Sequence, residues 1–340
     1  MGFDKINSIF FVGIGGIGMS ALARYFKLKG KKIYGYDRVS TALTRTLEAE
    51  GMEICYIESE EYFPDDLDLM IKTPAVSANN LFLNIAEGRG VAILKRAAVL
   101  GQISSAFRGI AVAGTHGKTT TSSMIAWVLR YCGLDCSAFL GGIAVNFDSN
   151  FVYGSSDLIV LEADEYDRSF LSLEPEIAVI TSIEADHLDI YGQEDMVLEA
   201  YIDFARKIKS GGSLIVNSAF ADLINVEDIQ KITYGFDPVA DYNVSSMWVE
   251  GGKMQFEVQE KVGSFQYRLG YAGKHNVENA CAAIAVARHL GLYPEQIASA
   301  LDAFNGIRRR FEIIIQQDDL AIIDDYAHHP TELKAAIAAA

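Results

Sequence analysis

Along the chain, short apolar runs ending on glycine, proline or an acid alternate with stretches where apolar residues recur every three or four positions. The first kind reads as buried strands of a parallel sheet, the second as helices that cover it. SIFFV (8–12) runs into glycines and then helical spacing through Leu28, and KKIYGYD predicts the next strand, ending at Asp37. DLMIKTP, closing on Pro74, and VAILKR predict two more. The turn FRG at 107–109 marks a boundary before the strand IAVAG, which feeds THGKTTTSSMIAWVLRYCG, a helix with Gly133 as terminator. DLIVLEADE, EIAVITSIEADH and GGSLIVN continue the strand pattern. Alternation with a Gly-Gly turn takes over at 241–270 and predicts antiparallel hairpins. HNVENACAAIAVARHLG and PEQIASALDAF predict helices, GIRRRFEIII starts a new element, and LAIIDDYAHHPTE is a strand-to-helix junction. The expectation is an α/β protein with an N-terminal domain (1–107) and a central domain (108–306) carrying an antiparallel subsheet. Residues 307–340 are too few for a domain and are expected to begin a third one that is cut off.

With 340 residues there is room for two or three cores. A net charge of −16 and a pI near 4.8 argue against nucleic acid or an anionic membrane as partner. Small anions remain possible ligands where lysine, arginine, backbone N–H groups or metal ions supply positive potential. Cys55, Cys132, Cys136 and Cys281 form no paired framework and no zinc set, so free thiols in a reducing compartment are expected. No charged leader with an apolar core and no membrane-length apolar run is visible, which predicts a cytoplasmic protein without membrane insertion.

Two glycine loops carry the candidate chemistry. GIGGIG matches G-x-G-x-x-G at Gly13, Gly15 and Gly18, with Gly16 between them, and Asp37 follows 19 positions after the last glycine. Such a loop lets backbone N–H groups approach a diphosphate at a helix N-terminus. The second, Gly114-Thr115-His116-Gly117-Lys118-Thr119, departs from a P-loop only in having Val112 where the first glycine belongs. Its lysine suits β/γ-phosphates, and the Thr119 or Thr120 hydroxyl suits Mg²⁺. Ligands of open α/β sheets sit beyond the carboxyl ends of the strands, which gives weight to Glu162, Asp164 and Glu165 and to Glu184, Asp186 and His187. Strand alternation is expected to put Glu162 and Asp164 on one face and Glu165 on the other. Glu162 and His187 are the expected metal partners. Blander readings stand beside these: Asn276 and Asn279 suit a helix start, RRRF suits a solvated charge run, His275 and His289 suit structural roles, and His116 suits shaping its loop.

GTHGKTTTS, EADEYDRSF, SIEADHLD, GKHNVENA, RRRF and DDYAHHPTE, preceded by GIGGIGMSALA, occur in an order that resembles the Mur ligases of peptidoglycan synthesis over essentially the whole chain. The resemblance implies three domains: a Rossmann-like UDP-sugar domain, a P-loop-type ATPase domain, and a Rossmann-like third domain. It implies that the first loop takes the diphosphate of UDP-N-acetylmuramate and the second takes ATP. It also implies an acyl-phosphate ligation with L-alanine as the other small-molecule substrate. By similarity, Lys118 stabilises the migrating phosphoryl group, and Thr119, Glu162 and His187 hold Mg²⁺. Asn276 and Asn279 contact adenine, Arg310 and Asp325 reach ATP from the third-domain side with His328 a weaker match, and Ser20 and Asp37 lie near the UDP group. Several family members carry a metal-binding carbamylated lysine after the DH histidine. Here no lysine occurs between His187 and Lys207, as expected for the alanine-adding branch. The tripeptide-recycling branch is the near rival. A nicotinamide-dependent dehydrogenase, suggested by the first loop alone, or a non-catalytic nucleotide-binding module are the more distant alternatives. The 340-residue piece is expected to bind its nucleotides without appreciable ligation.

Overall fold

The computed structural model describes residues 3–184, 188–191, 193–270, 272–317 and 320–339. They divide into two compact units, Met1–Ile103 and Ser104–Ala340. The first unit holds a parallel sheet of β1 (Ser8–Val12), β2 (Lys32–Tyr36), β3 (Glu53–Cys55), β4 (Leu69–Lys72) and β5 (Ala92–Lys95), in the order β3-β2-β1-β4-β5 among the described residues. β1 is buried along its whole length because it is central and covered on both faces. Helices α1 (Ile17–Leu28), α2 (Ala42–Ala49) and α3 (Leu81–Gly88) make crossovers between its strands, and α4 (Arg96–Ser104) follows β5. A capping box at Thr41 starts α2, and the Asn80 side chain caps α3.

The second unit is built on β6 (Arg108–Ala113), β7 (Ser137–Ala144), β8 (Ser149–Val152), β9 (Leu158–Glu162), β10 (Ile177–Ile180), β11 (Ser213–Asn217), β12 (Gln230–Gly235), β13 (Tyr242–Glu250), β14 (Lys253–Glu260) and β15 (Gly263–Leu269). Their order among the described residues is β15-β14-β13-β12-β11-β10-β6-β9-β7-β8. The centre is parallel, and β13, β14 and β15 pair antiparallel, as the alternating sequence predicts. β7, β8 and β12 are additions that the apolar runs do not announce.

α5 (Lys118–Tyr131) and α8 (Lys274–His289) pack together over this sheet, with Met124, Ile125, Val128 and Leu129 in one cluster with Ala280, Ala283, Ile284 and Ala287. α6 (Leu188–Tyr191), α7 (Glu194–Arg206) and α9 (Pro294–Asp302) complete the unit, together with the hairpin β16 (Glu312–Gln316)/β17 (Ala321–Asp324) and α10 (Pro330–Ala339). The segment before that hairpin is tied to β7, through the Val145 amide to Gly306 O at 3.0 Å and the Arg308 amide to Ile143 O at 2.9 Å. No helix among the described residues is long and apolar enough to cross a membrane.

Candidate active site

β6 ends at Ala113 and α5 begins at Lys118, so the second glycine loop is a tight strand-to-helix turn. Gly114 (φ +142°) and Gly117 (φ +80°) both adopt backbone that favours glycine, and neither has room for a side chain. A Cβ on Gly114 would stand 2.0 Å from Thr181 Oγ1, and one on Gly117 would stand 2.4 Å from Asn279 Oδ1. The segment after β10 fixes the loop. The Thr115 amide donates to Ser182 O at 3.1 Å, the His116 amide to Ser182 Oγ at 2.8 Å, and the Glu184 amide to Thr115 Oγ1 at 2.9 Å. Gly117 caps α5 with no side chain, so the first-turn N–H groups point into the cavity as an anion site.

Lys118 lies at the focus of this loop. Its Nζ donates to Gly114 O at 2.7 Å and pairs with Glu165 Oε1 at 2.8 Å, where Glu165 is buried. This corrects the expectation that Glu165 faces away from Glu162. β9 stops at Glu162, so the strand period no longer applies at 165, and the chain turns into a 3-10 segment (Tyr166–Ser172) that carries Glu165 inward. Burial pushes the Glu165 carboxyl up, against the pull of the Lys118 charge. Glu162, partly buried, accepts from the Gly141 amide at 3.0 Å. Its carboxyl is raised by burial and opposed by Lys118 and by the Thr119 hydroxyl. Lys118, Thr119 and Glu162 therefore share one pocket wall. His187 and Asp186 lie outside the described residues.

The opposite wall belongs to α8 and to residues beyond 306. Asn276 and Asn279 line the cavity without capping α8, whose N-cap is Gly273. Asn276 Nδ2 donates to Ala272 O at 2.7 Å, and Asn279 Oδ1 accepts from Thr121 Oγ1 at 3.1 Å. Thr120, His275, Glu278, Asn217 and Tyr234 line the same space. His289 is not among the cavity's lining residues, and its Nε2 is 3.2 Å from Ser213 Oγ. Each arginine of RRRF meets an acid: Arg308 Asp148 at 2.6 Å, Arg309 Asp324 at 3.5 Å, and Arg310 Glu332 at 3.8 Å. Arg310 and Asp325 both reach the cavity, but the Asp325 carboxylate is already occupied by the Phe311 and Ala327 amides, each at 2.7 Å. His328 is exposed, its ring 3.0 Å from Tyr326 O. His116 stands between two carboxylates, Nδ1 3.1 Å from Glu332 Oε1 and Nε2 3.3 Å from Glu184 Oε2.

In the first unit, GIGGIG makes the turn from β1 to α1. The Gly13 amide donates to Tyr36 O at 2.8 Å and the Gly15 amide to Asp37 Oδ2 at 2.8 Å. Asp37 thus shapes the loop with one of its oxygens. Gly16 caps α1 without a side chain, and a Cβ on Gly18 would stand 2.8 Å from Arg96 Nη1. Arg96 therefore brings positive charge against the loop. Ser20 is buried and donates to Ile17 O at 2.9 Å, within its own helix.

A family profile described as "Mur ligase family, catalytic domain" matches residues 8–108, and one described as "Mur ligase middle domain" matches 112–287. The chain belongs to the Mur ligase family. Among curated Mur ligases, the UDP-N-acetylmuramate–L-alanine ligase of Cytophaga hutchinsonii is 42% identical, over 100% of this chain and 75% of that protein. The Parabacteroides distasonis enzyme of the same name is also 42% identical, over 99% of this chain and 75% of its own length. Among solved structures, UDP-N-acetylmuramate-alanine ligase from Thermotoga maritima superposes with a TM-score of 0.87 at 30% identity, over 98% of this chain and 77% of that one. A murein peptide ligase from Psychrobacter arcticus follows at a TM-score of 0.82 and 26% identity, over 98% of this chain and 75% of that one. Within this Mur ligase, sequence reasoning missed Gly141, Thr181, Glu278, Glu332 and Arg96 as site neighbours, and it left Glu165 undecided. Glu278 and Glu332 lie inside the motifs GKHNVENA and DDYAHHPTE, and Thr181 directly follows a strand end, so these three carried a signal; Gly141 and Arg96 carried none.

Proposed function

We propose that this Mur ligase joins L-alanine to the lactoyl carboxylate of UDP-N-acetylmuramate with hydrolysis of ATP, in peptidoglycan precursor synthesis. The reading is carried by the convergence of Lys118, Thr119 and Glu162 below an uncapped helix, in a chain alike along its length to alanine-adding ligases. The tripeptide-recycling and dehydrogenase alternatives are not favoured by those relatives. UDP-N-acetylmuramate places its diphosphate at Gly13, Gly15, Gly16 and Gly18, with Arg96 as counter-charge and Ser20 and Asp37 supporting the loop. ATP occupies the loop from Gly114 to Thr120, with Asn276 and Asn279 toward the base and Arg310 and Asp325 on the ribose and phosphate side. Residues 1–107 then serve the UDP-sugar, 108–306 serve ATP, and 307–340 begin the amino-acid-binding part.

The lactoyl carboxylate attacks the γ-phosphorus, the bond to ADP breaks, and an acyl phosphate results. The alanine amine then attacks the acyl carbon, and the tetrahedral intermediate collapses to the amide and phosphate. Lys118, leaving Glu165, follows the charge on the migrating phosphoryl group, and the α5 N–H groups hold the phosphates in line. A hydroxyl and a partly buried carboxylate are the hard oxygen donors that suit Mg²⁺. Thr119 and Glu162, with His187, would hold the ion, which when bound neutralises phosphate charge. The test is phosphate release by the full-length enzyme, offered UDP-N-acetylmuramate with a panel of amino acids and the tripeptide. L-Alanine alone should support turnover, and Lys118→Ala should reduce it at least 10²-fold. Turnover with the tripeptide and none with L-alanine would overturn the assignment.

A further inference from the structure

At the rim of the pocket three residues meet whose side chains take no part in the phosphoryl and acyl transfers. They are His116 of the phosphate loop, Glu184 after β10, and His329 just before α10. One ligand atom from each lies within 4.8 Å of the other two. The two imidazole centroids are 4.8 Å apart, with the rings tilted by 40°. His116 Nε2 and Glu184 Oε2 are 3.3 Å apart. Two ligands of a tetrahedral ion with bonds of ~2.0–2.1 Å stand roughly 3.4 Å apart, so this edge already has the required spacing.

The other edge of His116 adds an independent reason. Nδ1 is 3.1 Å from Glu332 Oε1, so the ring has a carboxylate at each nitrogen. Such an imidazole needs a positive centre on both edges, either two protons or a proton and a metal ion. With the proton on Nδ1 held by Glu332, the Nε2 lone pair is turned toward Glu184, the arrangement in which an outer carboxylate orients a metal-binding histidine. The carboxylates are themselves held in place. Thr331 Oγ1 donates to Glu184 Oε2 at 3.1 Å, and the His328 amide donates to Glu332 Oε2 at 3.2 Å.

We propose that His116, Glu184 and His329 form a site for a divalent transition ion of the Zn²⁺ class, with Glu332 as its outer-shell partner. Two imidazoles beside one carboxylate favour such an ion over Mg²⁺, which prefers oxygen and near-octahedral geometry. This set shares no residue with Thr119 and Glu162. Ligation through His329 costs only the 3.4 Å contact that its Nδ1 accepts from the Thr331 amide. The ligands come from three separate stretches of chain, so the ion fastens the start of α10 to the phosphate loop at the cavity whose lining includes Thr331 and Ala335.

The test is a Co²⁺ titration of the full chain, free of nucleotide and Mg²⁺, followed by visible d–d absorption and reversed with Zn²⁺. One equivalent should bind with the absorption of a four- or five-coordinate ion, and millimolar Mg²⁺ should not displace it. His329→Ala and Glu184→Gln should each weaken binding more than tenfold. Glu332→Gln should weaken it about tenfold, as outer-shell changes do, and His289→Ala, at the far end of α8, should leave it unaltered. Thermal melts of each variant check that it is folded. Co²⁺ affinity unchanged in a folded His329→Ala or Glu184→Gln protein, or equal competition by Mg²⁺, overturns the site.

Discussion

The Lys118 ammonium and the Glu165 carboxylate are 2.8 Å apart where Glu165 is buried, so water screens them little. Removing the negative partner from such a pair leaves a charge without compensation and typically costs about 3–5 kcal/mol. Glu165→Gln should therefore lower the unfolding free energy of the nucleotide-free chain by about 3 kcal/mol. The deficit should shrink in the presence of a non-hydrolysable ATP analogue, because phosphates then supply the missing counter-charge. Urea melts with and without the analogue measure both numbers, and an equal deficit in the two conditions refutes the coupling. Lys118, Thr119 and Glu162 were legible in sequence because a glycine loop and a strand end announce themselves locally. Glu165 was not, because the period-two rule was carried three residues past the point where β9 stops.

Between elements, the register of β7 against β9 decides where the Glu162 carboxylate sits. The pairs Ala138↔Val160 and Phe139↔Leu161 bring Gly141 alongside Glu162, and a Cβ there would stand 2.1 Å from Glu162 Oε1. Gly141→Ala must therefore displace the Glu162 carboxylate. Displacements of this size cost on the order of 10²-fold in rate, and that is the expected fall in alanine-dependent phosphate release by the full-length enzyme. Native circular dichroism with undiminished turnover would contradict it. Gly141 is a site residue that sequence alone could not reveal. It is one of two adjacent glycines in an otherwise apolar strand, and its importance comes from a neighbour 21 positions away. The antiparallel β13, β14 and β15 were legible for the opposite reason, since their pairing partners are next in sequence and joined by short turns.

For the molecule as a whole, the cysteines report how the interior responds to base. All four are free thiols; burial pushes Cys136 and Cys281 up to about 12 and Cys55 to about 11. The unfolded chain releases these protons near pH 9, the folded chain only well above it. Their contribution to stability is therefore complete below about pH 9 and is lost as the pH rises toward 12. Urea midpoints should fall across that window, and replacing Cys281 by Ala should flatten part of the slope. An unchanged slope in that variant would remove the thiol from the explanation. At pH 8 an alkylating reagent should reach Cys132, half-buried at the end of α5, well before Cys136 or Cys281.

The bond between Lys118 and Glu165 also sets the terms on which the phosphate loop takes an anion. The Lys118 ammonium already has an anion, so an incoming triphosphate trades places with a tethered rival. Nucleotide affinity is then set by a difference between two anions, and simple phosphate, lacking the base and ribose contacts, is the weaker competitor in that exchange.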